Sequence, residues 1–287
     1  MRDRVFVMLQ HALPRYGLTA VVYWLARIRV PAIKNFLISR FVRHFDVDLT
    51  GVAEPVPEGF ATFNAFFVRA LETDARPVAA DPDAVTSPVD GTVSAAQAIL
   101  GNQVFQAKGI DYTLDDLLVV DRARGRSYEN GNFATIYLAP YNYHRVHAPI
   151  AGTIAAIHYV PGDLFSVNAA TVRNLPGLFR RNERLVIHLE TAVGPAAVIL
   201  VGALNVGSIT TPWTGEIRPR RRGVAESINI DPNIDVAKGD LLGWFNMGST
   251  VIVLLPPGSA TWNPELEPGT TLVMGQHIGS LLATPDD

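Results

Sequence analysis

Two apolar runs, LVIHLE at residues 185–190 and AVILV at residues 197–201, decide the fold class. Each run is short, rich in β-branched side chains and close to turn-forming residues, which is typical of buried β-strands. Similar runs occupy residues 85–93, 133–138, 153–160 and 251–255. Long helical patterns are rare after residue 57, although Thr62 can cap one short helix. We therefore predict an α+β protein whose body is β-rich, with an antiparallel or mixed sheet.

The body also contains two internal sequence echoes. SPVDGTV at residues 87–93 resembles APIAGTI at residues 148–154, and KGDLLG at residues 238–243 resembles MGQHIG at residues 274–279. A repeated motif of this kind indicates a duplicated structural unit. The turns resemble those of lipoyl- or biotinyl-type sandwiches, so we predict sandwich elements of that type within residues 58–287.

Residues 1–57 differ from the body and form a separate helical segment in our prediction. Apolar side chains recur there at helical intervals, and residues 1–43 hold eight basic side chains against the single acid Asp3, although the whole chain has a formal net charge of -3. The longest apolar run, residues 18–26, is far shorter than the roughly 20 residues that a membrane-spanning helix needs. We predict amphipathic helices that lie on an anionic membrane. The alternative is that their apolar faces pack on the protein's own core.

Composition excludes several kinds of chemistry. The chain has no cysteine, so disulfides, thiolate nucleophiles and cysteine-based zinc sites are absent. Covalent catalysis would have to use Ser, Thr, Lys or a carboxylate. Glycine-rich loops with a P-loop or dinucleotide fingerprint are also missing. The basic amino-terminal segment could face nucleic acid, but its apolar content favours a membrane, and we predict no nucleic-acid partner.

Three short segments together supply an acid, a base and a nucleophile: SPVDG at residues 87–91, YHRVH at residues 143–147 and MGST at residues 247–250. A serine attacks an amide only if a base takes its proton, and a histidine oriented by a carboxylate is the usual solution. Attack of Ser249 on the carbonyl of Gly248 would convert the peptide bond into an ester. Gly248 suits this step because it lacks a Cβ and leaves its carbonyl open.

At this point the sequence resembles the phosphatidylserine decarboxylase family along nearly its whole length. The matching blocks are FNAFFVR at residues 63–69, SPVDG at 87–91, YHRVHAP at 143–149, PGDLFSVN at 161–168, RNER at 181–184, VGA at 201–203 with VGSI at 206–209, and GST at 248–250. The resemblance implies a self-cleavage triad of Asp90, His147 and Ser249. It also implies cleavage between Gly248 and Ser249, giving a β chain of residues 1–248 and an α chain of residues 249–287.

The resemblance further implies the reaction and its setting. Ser249 would become a covalent pyruvoyl group that forms a Schiff base with phosphatidylserine, and His144 would act as the acid or base of decarboxylation to phosphatidylethanolamine and CO2. The family needs no metal. The resemblance also suggests a homodimer of heterodimers, peripheral to the cytoplasmic face of the bacterial inner membrane, with phosphatidylserine in an anionic membrane as the partner.

Some features depart from the family pattern or allow another interpretation. Met247 stands where many bacterial members have Leu, and Asn142 stands where many have an acid, which would leave Asp90 as the main orienting group. The basic run Arg218, Arg220, Arg221 and Arg222 is interpreted as a solvated loop, with contact to lipid phosphates as the alternative. Two alternatives to the decarboxylase stay open at this point: a self-cleaving hydrolase in which Ser249 keeps its amine, and a non-enzymatic lipoyl-like membrane adaptor.

Overall fold

A computed structural model of the chain describes residues 2–107, 110–221, 223–231 and 233–282. Its helices are α1 Arg2–Ala12, α2 Arg15–Leu25, α3 Pro31–Phe45, α4 Phe63–Phe67, α5 Leu114–Leu118, α6 Arg122–Gly125, α7 Ala169–Asn174 and α8 Leu178–Arg181, with a 3-10 turn at Arg126–Tyr128. Its strands are β1 Ala84–Thr86, β2 Gly91–Ala98, β3 Gln103–Ala107, β4 Ile110–Thr113, β5 Asn132–Leu138, β6 Arg145–His147, β7 Gly152–Val160, β8 Arg184–Thr191, β9 Gly194–Val201, β10 Ile209–Thr211, β11 Gly215–Ile217, β12 Glu226–Ile228, β13 Ile234–Val236, β14 Leu241–Phe245, β15 Ser249–Leu255, β16 Ala260–Trp262, β17 Thr271–Leu272 and β18 His277–Leu281.

The two apolar runs at residues 185–190 and 197–201 form β8 and β9, at the centre of a nine-stranded sheet. The strand order is β12-β7-β8-β9-β15-β5-β2-β17, and β13 also pairs with β7. All seven residues of β15 are buried, and this strand lies between β9 and β5. Strands covered on both faces carry continuous apolar runs, which explains why these segments do not alternate in polarity.

The named strand pairs are all antiparallel, so the structure selects the antiparallel form of the sheet that the sequence predicted. Smaller sheets are ordered β1-β18-β16, β11-β10-β14-β6 and β3-β4. The chain is therefore β-rich with a few helices, as predicted. The finer expectation of lipoyl- or biotinyl-type sandwich elements stays a prediction.

The two sequence echoes occupy equivalent places in the structure. β1 precedes SPVDGTV and pairs with β18, which contains the end of MGQHIG. In the same way, β6 precedes APIAGTI and pairs with β14, which contains the end of KGDLLG. Four backbone hydrogen bonds of 2.8–2.9 Å match across the repeats: Ser87 N–H to Gln276 O, Gly275 N–H to Ser87 O, Ala148 N–H to Asp240 O, and Gly239 N–H to Ala148 O. Gly239 and Gly275 have φ of +90° and +83°, a region that glycine adopts without steric cost. The echoes therefore reflect a repeated backbone unit.

One predicted strand is wrong in its extent. Residues 85–93 were expected to form a single strand, but the structure has β1 and β2 separated by a bend over residues 87–90. Pro88 has no N–H to give to a ladder, and the Ser87 hydroxyl donates to Val89 O at 2.7 Å, which closes a turn. Asp90 is the last residue of this bend and directly precedes β2.

The amino-terminal segment forms three helices, of which α3 packs against α4 and α1 packs against α7. Ile38 of α3 and Phe66 and Phe67 of α4 are buried in a second apolar cluster beside the main core. Thr62 accepts a hydrogen bond from Ala65 N–H and caps α4, as predicted. Other apolar side chains of the helices remain exposed, among them Met8, Leu9, Val21, Trp24 and Phe36. In the part of the chain that the structure describes, no helix is long and apolar enough to cross a membrane.

Candidate active site

The Gly248-Ser249 bond lies at the start of β15. Ser249 is fully buried opposite Leu138 of β5, and its hydroxyl has no hydrogen-bond partner among the described residues. Buried polar groups are normally paired, so an unpaired hydroxyl at the start of a central strand is a candidate for a reacting group. A Cβ on Gly248 would meet nothing closer than 3.7 Å, which leaves the peptide bond accessible to neighbouring side chains.

The His144 side chain lies close to Gly248. Its Nε2 lies 3.7 Å from the position that a Cβ on Gly248 would take, and its ring lies against Phe67 at 4.1 Å between centroids. Nδ1 donates to Asn142 O at 2.8 Å, so the lone pair is on Nε2, which has no partner in the described chain. Burial lowers the pKa of His144 to about 3. His144 is therefore a neutral imidazole with a free proton-accepting nitrogen beside Gly248.

His147 is held by two neighbours. Its Nδ1 donates to Gly239 O at 2.7 Å, and its Nε2 accepts from the Tyr143 hydroxyl at 3.1 Å. The Tyr143 and His147 rings are stacked 5.7 Å apart. Burial lowers the pKa of His147, so this ring too is neutral near pH 7. Its tautomer suits a base, but Tyr143 occupies the nitrogen that would accept a proton.

Asp90, the acid of the predicted triad, is bound by other groups. Arg76 donates to both carboxylate oxygens, with a shortest distance of 2.7 Å, and Met274 N–H donates to Oδ1 at 2.8 Å. The hydrogen bond to Asp90 raises the pKa of Arg76. Asp90 makes no hydrogen bond to His147 in the structure. Its carboxylate instead joins a segment before the Gly248-Ser249 bond to one after it.

The structure thus brings together three of the predicted site residues, Gly248, Ser249 and His144, while His147 and Asp90 engage other partners. Arg76 and Tyr143 are additions to the predicted site. Tyr143 belongs to the YHRVH segment and could have been included on that ground, whereas nothing in the sequence around Arg76 distinguishes it from a surface arginine.

The two departures from the family pattern have structural roles. The Asn142 side chain accepts Ala139 N–H at 2.7 Å and closes the turn before His144, while its carbonyl orients the His144 ring. Met247 lines two cavities beside Gly248. Of the basic run, Arg220 forms an exposed ion pair with Glu226, and Arg222 lies outside the described residues.

A cavity of about 410 Å3 opens at Gly248. Its walls come from the helices, from the end of β5 and from four loops of the body, and they include Tyr137, Pro140, Ser166, Val167, Asn205 and Met247. A second, mainly apolar cavity of about 390 Å3 lies between α2 and α3. The two cavities share Val22, Phe41, Phe45 and Met247, so the helices border the same space as the candidate reacting groups.

Comparison with known proteins shows that the chain is an enzyme of the decarboxylase class. The family model described as Phosphatidylserine decarboxylase matches residues 63–280, and a second model, described as PSD, matches residues 5–46. The chain belongs to the phosphatidylserine decarboxylase family.

Bacterial relatives support this assignment over almost the full chain. A protein of Methylococcus capsulatus is 48% identical over 278 residues, which cover 96% of each chain. Relatives from Alcanivorax borkumensis and Saccharophagus degradans are 47% and 43% identical, each covering 98% of this chain and 97% and 99% of their own. Each of the three is named a phosphatidylserine decarboxylase proenzyme.

Proposed function

We propose that the chain cleaves itself between Gly248 and Ser249 and then decarboxylates phosphatidylserine to phosphatidylethanolamine, using a pyruvoyl group derived from Ser249. The observation that carries the proposal is the bond between Gly248, which His144 Nε2 approaches at the end of a cavity bordered by the amino-terminal helices, and Ser249, whose fully buried hydroxyl has no partner among the described residues. The proenzyme names of the relatives support a processed enzyme of this kind.

The self-cleavage conserves every atom of the chain until its last step. The Ser249 oxygen attacks the carbonyl carbon of Gly248 and the amide C–N bond breaks, so that an ester replaces the amide. Removal of the Cα proton of Ser249 then expels residues 1–248 with a carboxylate on Gly248. Water hydrolyses the dehydroalanine that remains, ammonia leaves, and the new chain begins with a ketone carbonyl in place of an amine.

His147 and Asp90 are assigned to this cleavage. The Gly239 carbonyl fixes the proton of His147 on Nδ1, which leaves Nε2 as the basic nitrogen. Tyr143 holds that nitrogen in the present structure, so His147 must exchange the Tyr143 hydroxyl for that of Ser249 before it can act. Asp90 favours the protonated form of His147 through its charge, even though Arg76 binds its carboxylate.

His144 is assigned to the reaction of the substrate. When formed, the pyruvoyl carbonyl would accept the electrons of the breaking C–CO2 bond after condensing with the substrate's amine. The free Nε2 of His144 lies beside Gly248, where a proton has to be delivered to the substrate's Cα. Because burial keeps His144 neutral, it must take up that proton from the substrate or water during each turnover.

The helices suit a substrate that stays in a membrane. Exposed apolar side chains on α1, α2 and α3 can enter the acyl region of one leaflet, and the basic residues of the same segment can meet anionic headgroups. These features support peripheral attachment to the bacterial inner membrane. The two products of cleavage would stay associated, because β15 is hydrogen-bonded between β9 and β5. A homodimer of the cleaved units stays a prediction.

The test compares two adjacent buried hydroxyls. Ser249→Ala should remain one full-length chain, whereas Thr250→Val, which also removes an unpaired buried hydroxyl but keeps the side chain's size, should yield chains of residues 1–248 and 249–287. Intact-mass analysis of the smaller chain should show that its terminal amine is lost, and a hydrazide should label it. A smaller chain that keeps the amine would support the self-cleaving hydrolase instead. An active protein with an uncleaved chain would overturn the proposal.

A further inference from the structure

α1 carries one buried polar side chain on a helix whose other side chains are largely exposed. Gln10 is 1% exposed, and its Oε1 accepts Ser166 N–H at 2.8 Å while its Nε2 donates to the Thr171 hydroxyl at 3.0 Å. Thr171 is in turn bound by Asn168, the residue that caps α7. Gln10 therefore fixes the loop of residues 161–168 from outside the body of the protein.

α2 carries a second buried polar side chain with a similar contact. Thr19 is 2% exposed, and its hydroxyl oxygen accepts Asn205 N–H at 3.2 Å. Asn205 has a φ of +71°, a conformation that costs energy for a residue with a Cβ and persists only where its surroundings hold it. Thr19 is one of the groups that hold this backbone in place.

The two contacts end on two adjoining loops of the same cavity, which the hydrogen bond from Leu204 N–H to Phe165 O joins at 3.4 Å. Ser166 and Asn205 both line the space that opens at Gly248. Further contacts support the first loop, since Arg15 forms an ion pair with Asp163 at 2.9 Å and lies over the Phe165 ring at 4.0 Å. The helices thus hold two adjoining loops of the cavity wall by side chains that face the body, while their outer faces carry the exposed apolar residues.

We propose that Gln10 and Thr19 are positioning residues of the active site, which hold the backbone of Ser166 and Asn205 in place along the cavity so that the polar part of phosphatidylserine binds beside Gly248. This inference rests on the proposed function. It makes the amino-terminal helices part of the substrate site in addition to a membrane attachment. Productive binding depends on placement to a fraction of an ångström, so a wall that shifts should weaken substrate binding more than it slows the chemical step.

The experiment separates this role from membrane attachment by using a monomeric substrate. Gln10→Met and Thr19→Val remove the hydrogen-bonding groups with little change in size. KM and kcat are measured on a short-chain phosphatidylserine below its critical micelle concentration, and rates are divided by the amount of hydrazide-reactive chain. We expect both variants to be processed and to raise KM about tenfold, with kcat changed far less. Thr19→Ser should restore the KM of the parent, because it keeps the hydroxyl.

Matched controls make the same chemical changes at exposed positions. Gln97→Met on β2 and Thr261→Val on β16 should keep the parent's KM. An unchanged KM in processed Gln10→Met and Thr19→Val would overturn the proposal. If Gln10→Met is not processed, the KM of Thr19→Val decides whether the proposal holds. If neither variant is processed, the two contacts serve folding or maturation, and the proposed role is wrong. A parent protein that forms no hydrazide-reactive chain, or does not release CO2, would count against the proposed function instead.

Discussion

Arg76 binds both carboxylate oxygens of Asp90, with Nε 3.0 and 3.2 Å from Oδ1 and Oδ2 and a terminal nitrogen 2.7 Å from Oδ2. Met274, which follows the proposed cleavage site in sequence, donates its N–H to the same carboxylate. The acid assigned to self-cleavage is therefore also a structural link between the two chains that cleavage would produce. Substitutions of Asp90 act on both roles, so the roles have to be separated by the choice of variant.

Asp90→Asn and Arg76→Met provide that separation. Asn keeps an oxygen for Met274 N–H but removes the charge, whereas Arg76→Met leaves a mostly buried carboxylate without its cation. We expect Arg76→Met to lower the free energy of unfolding by about 2 kcal/mol, less than for a fully buried pair because Arg76 is partly exposed. Urea titration in a Ser249→Ala background, which stays one chain, measures this effect. Asp90→Asn should slow self-cleavage strongly, and it should lower the free energy of unfolding by less than Arg76→Met does. Equal stability of Arg76→Met and its parent would show that the ion pair between Arg76 and Asp90 contributes nothing measurable to the free energy of unfolding.

Glu183 should make stability depend on pH. Its side chain is fully buried, Tyr159 donates to Oε2 at 2.8 Å, Oε1 has no partner in the described residues, and burial raises the pKa of Glu183 to about 7. Between the pKa of the unfolded chain, near 4.5, and about 7, the folded state binds more protons than the unfolded state, so stability falls as pH rises through this window.

Glu183→Gln removes that ionisation. In the Ser249→Ala background, the stability of the Gln variant relative to its parent should rise from pH 5 to pH 8, as measured by urea unfolding. Glu265→Gln makes the same chemical change at an exposed position and is measured beside it as the matched control. A flat difference for Glu183→Gln would mean that the carboxyl group is ionised in the fold throughout.

Vesicle binding should depend on exposed apolar side chains of the helices. Trp24→Ser and Phe36→Ser remove large side chains that are each 67% exposed, so less apolar area can enter the bilayer. Co-sedimentation with anionic vesicles should fall for both variants, and binding of the parent should weaken with added salt because its electrostatic part is screened. Val224→Ser changes an even more exposed residue outside the helices and should bind like the parent. Unaltered sedimentation of Trp24→Ser and Phe36→Ser would contradict the proposed surface.

Sequence patterns predicted the central strands well because burial on both faces imposes continuous apolar runs, as in β8, β9 and β15. They failed at residues 87–90, where the hydrogen-bond partners of Ser87 come from Gln276 and Gly275 and so depend on the tertiary fold. The site was predicted from short motifs and from the resemblance to the family, neither of which can tell that Arg76 binds Asp90 and that Tyr143 binds His147. Gln10 and Thr19 were missed for the same reason, since a polar residue on an amphipathic helix is usually exposed.

The assignment of His147 to self-cleavage makes a prediction about the precursor. His147→Ala should leave most of the chain uncleaved, because Ser249 would have no oriented base. Tyr143→Phe should process at least as fast as the parent, since it frees Nε2 of His147 while keeping the stacked ring. A denaturing gel of purified protein over time measures both. Slower processing of Tyr143→Phe would instead make the Tyr143 hydroxyl part of the proton path.

The assignment of His144 to the substrate makes the opposite prediction. His144→Ala should complete self-cleavage and form a hydrazide-reactive chain, yet it should decarboxylate phosphatidylserine at least about 100-fold more slowly, the usual scale for losing a positioned proton donor or acceptor. A folding defect could not produce this result, because an unfolded chain would not mature. The structure sharpens the test, since His144 Nε2 is unpaired beside Gly248 while Nε2 of His147 is occupied. If His144→Ala stays uncleaved while His147→Ala cleaves and decarboxylates normally, the free nitrogen beside Gly248 is the base of self-cleavage, and the two histidines exchange roles.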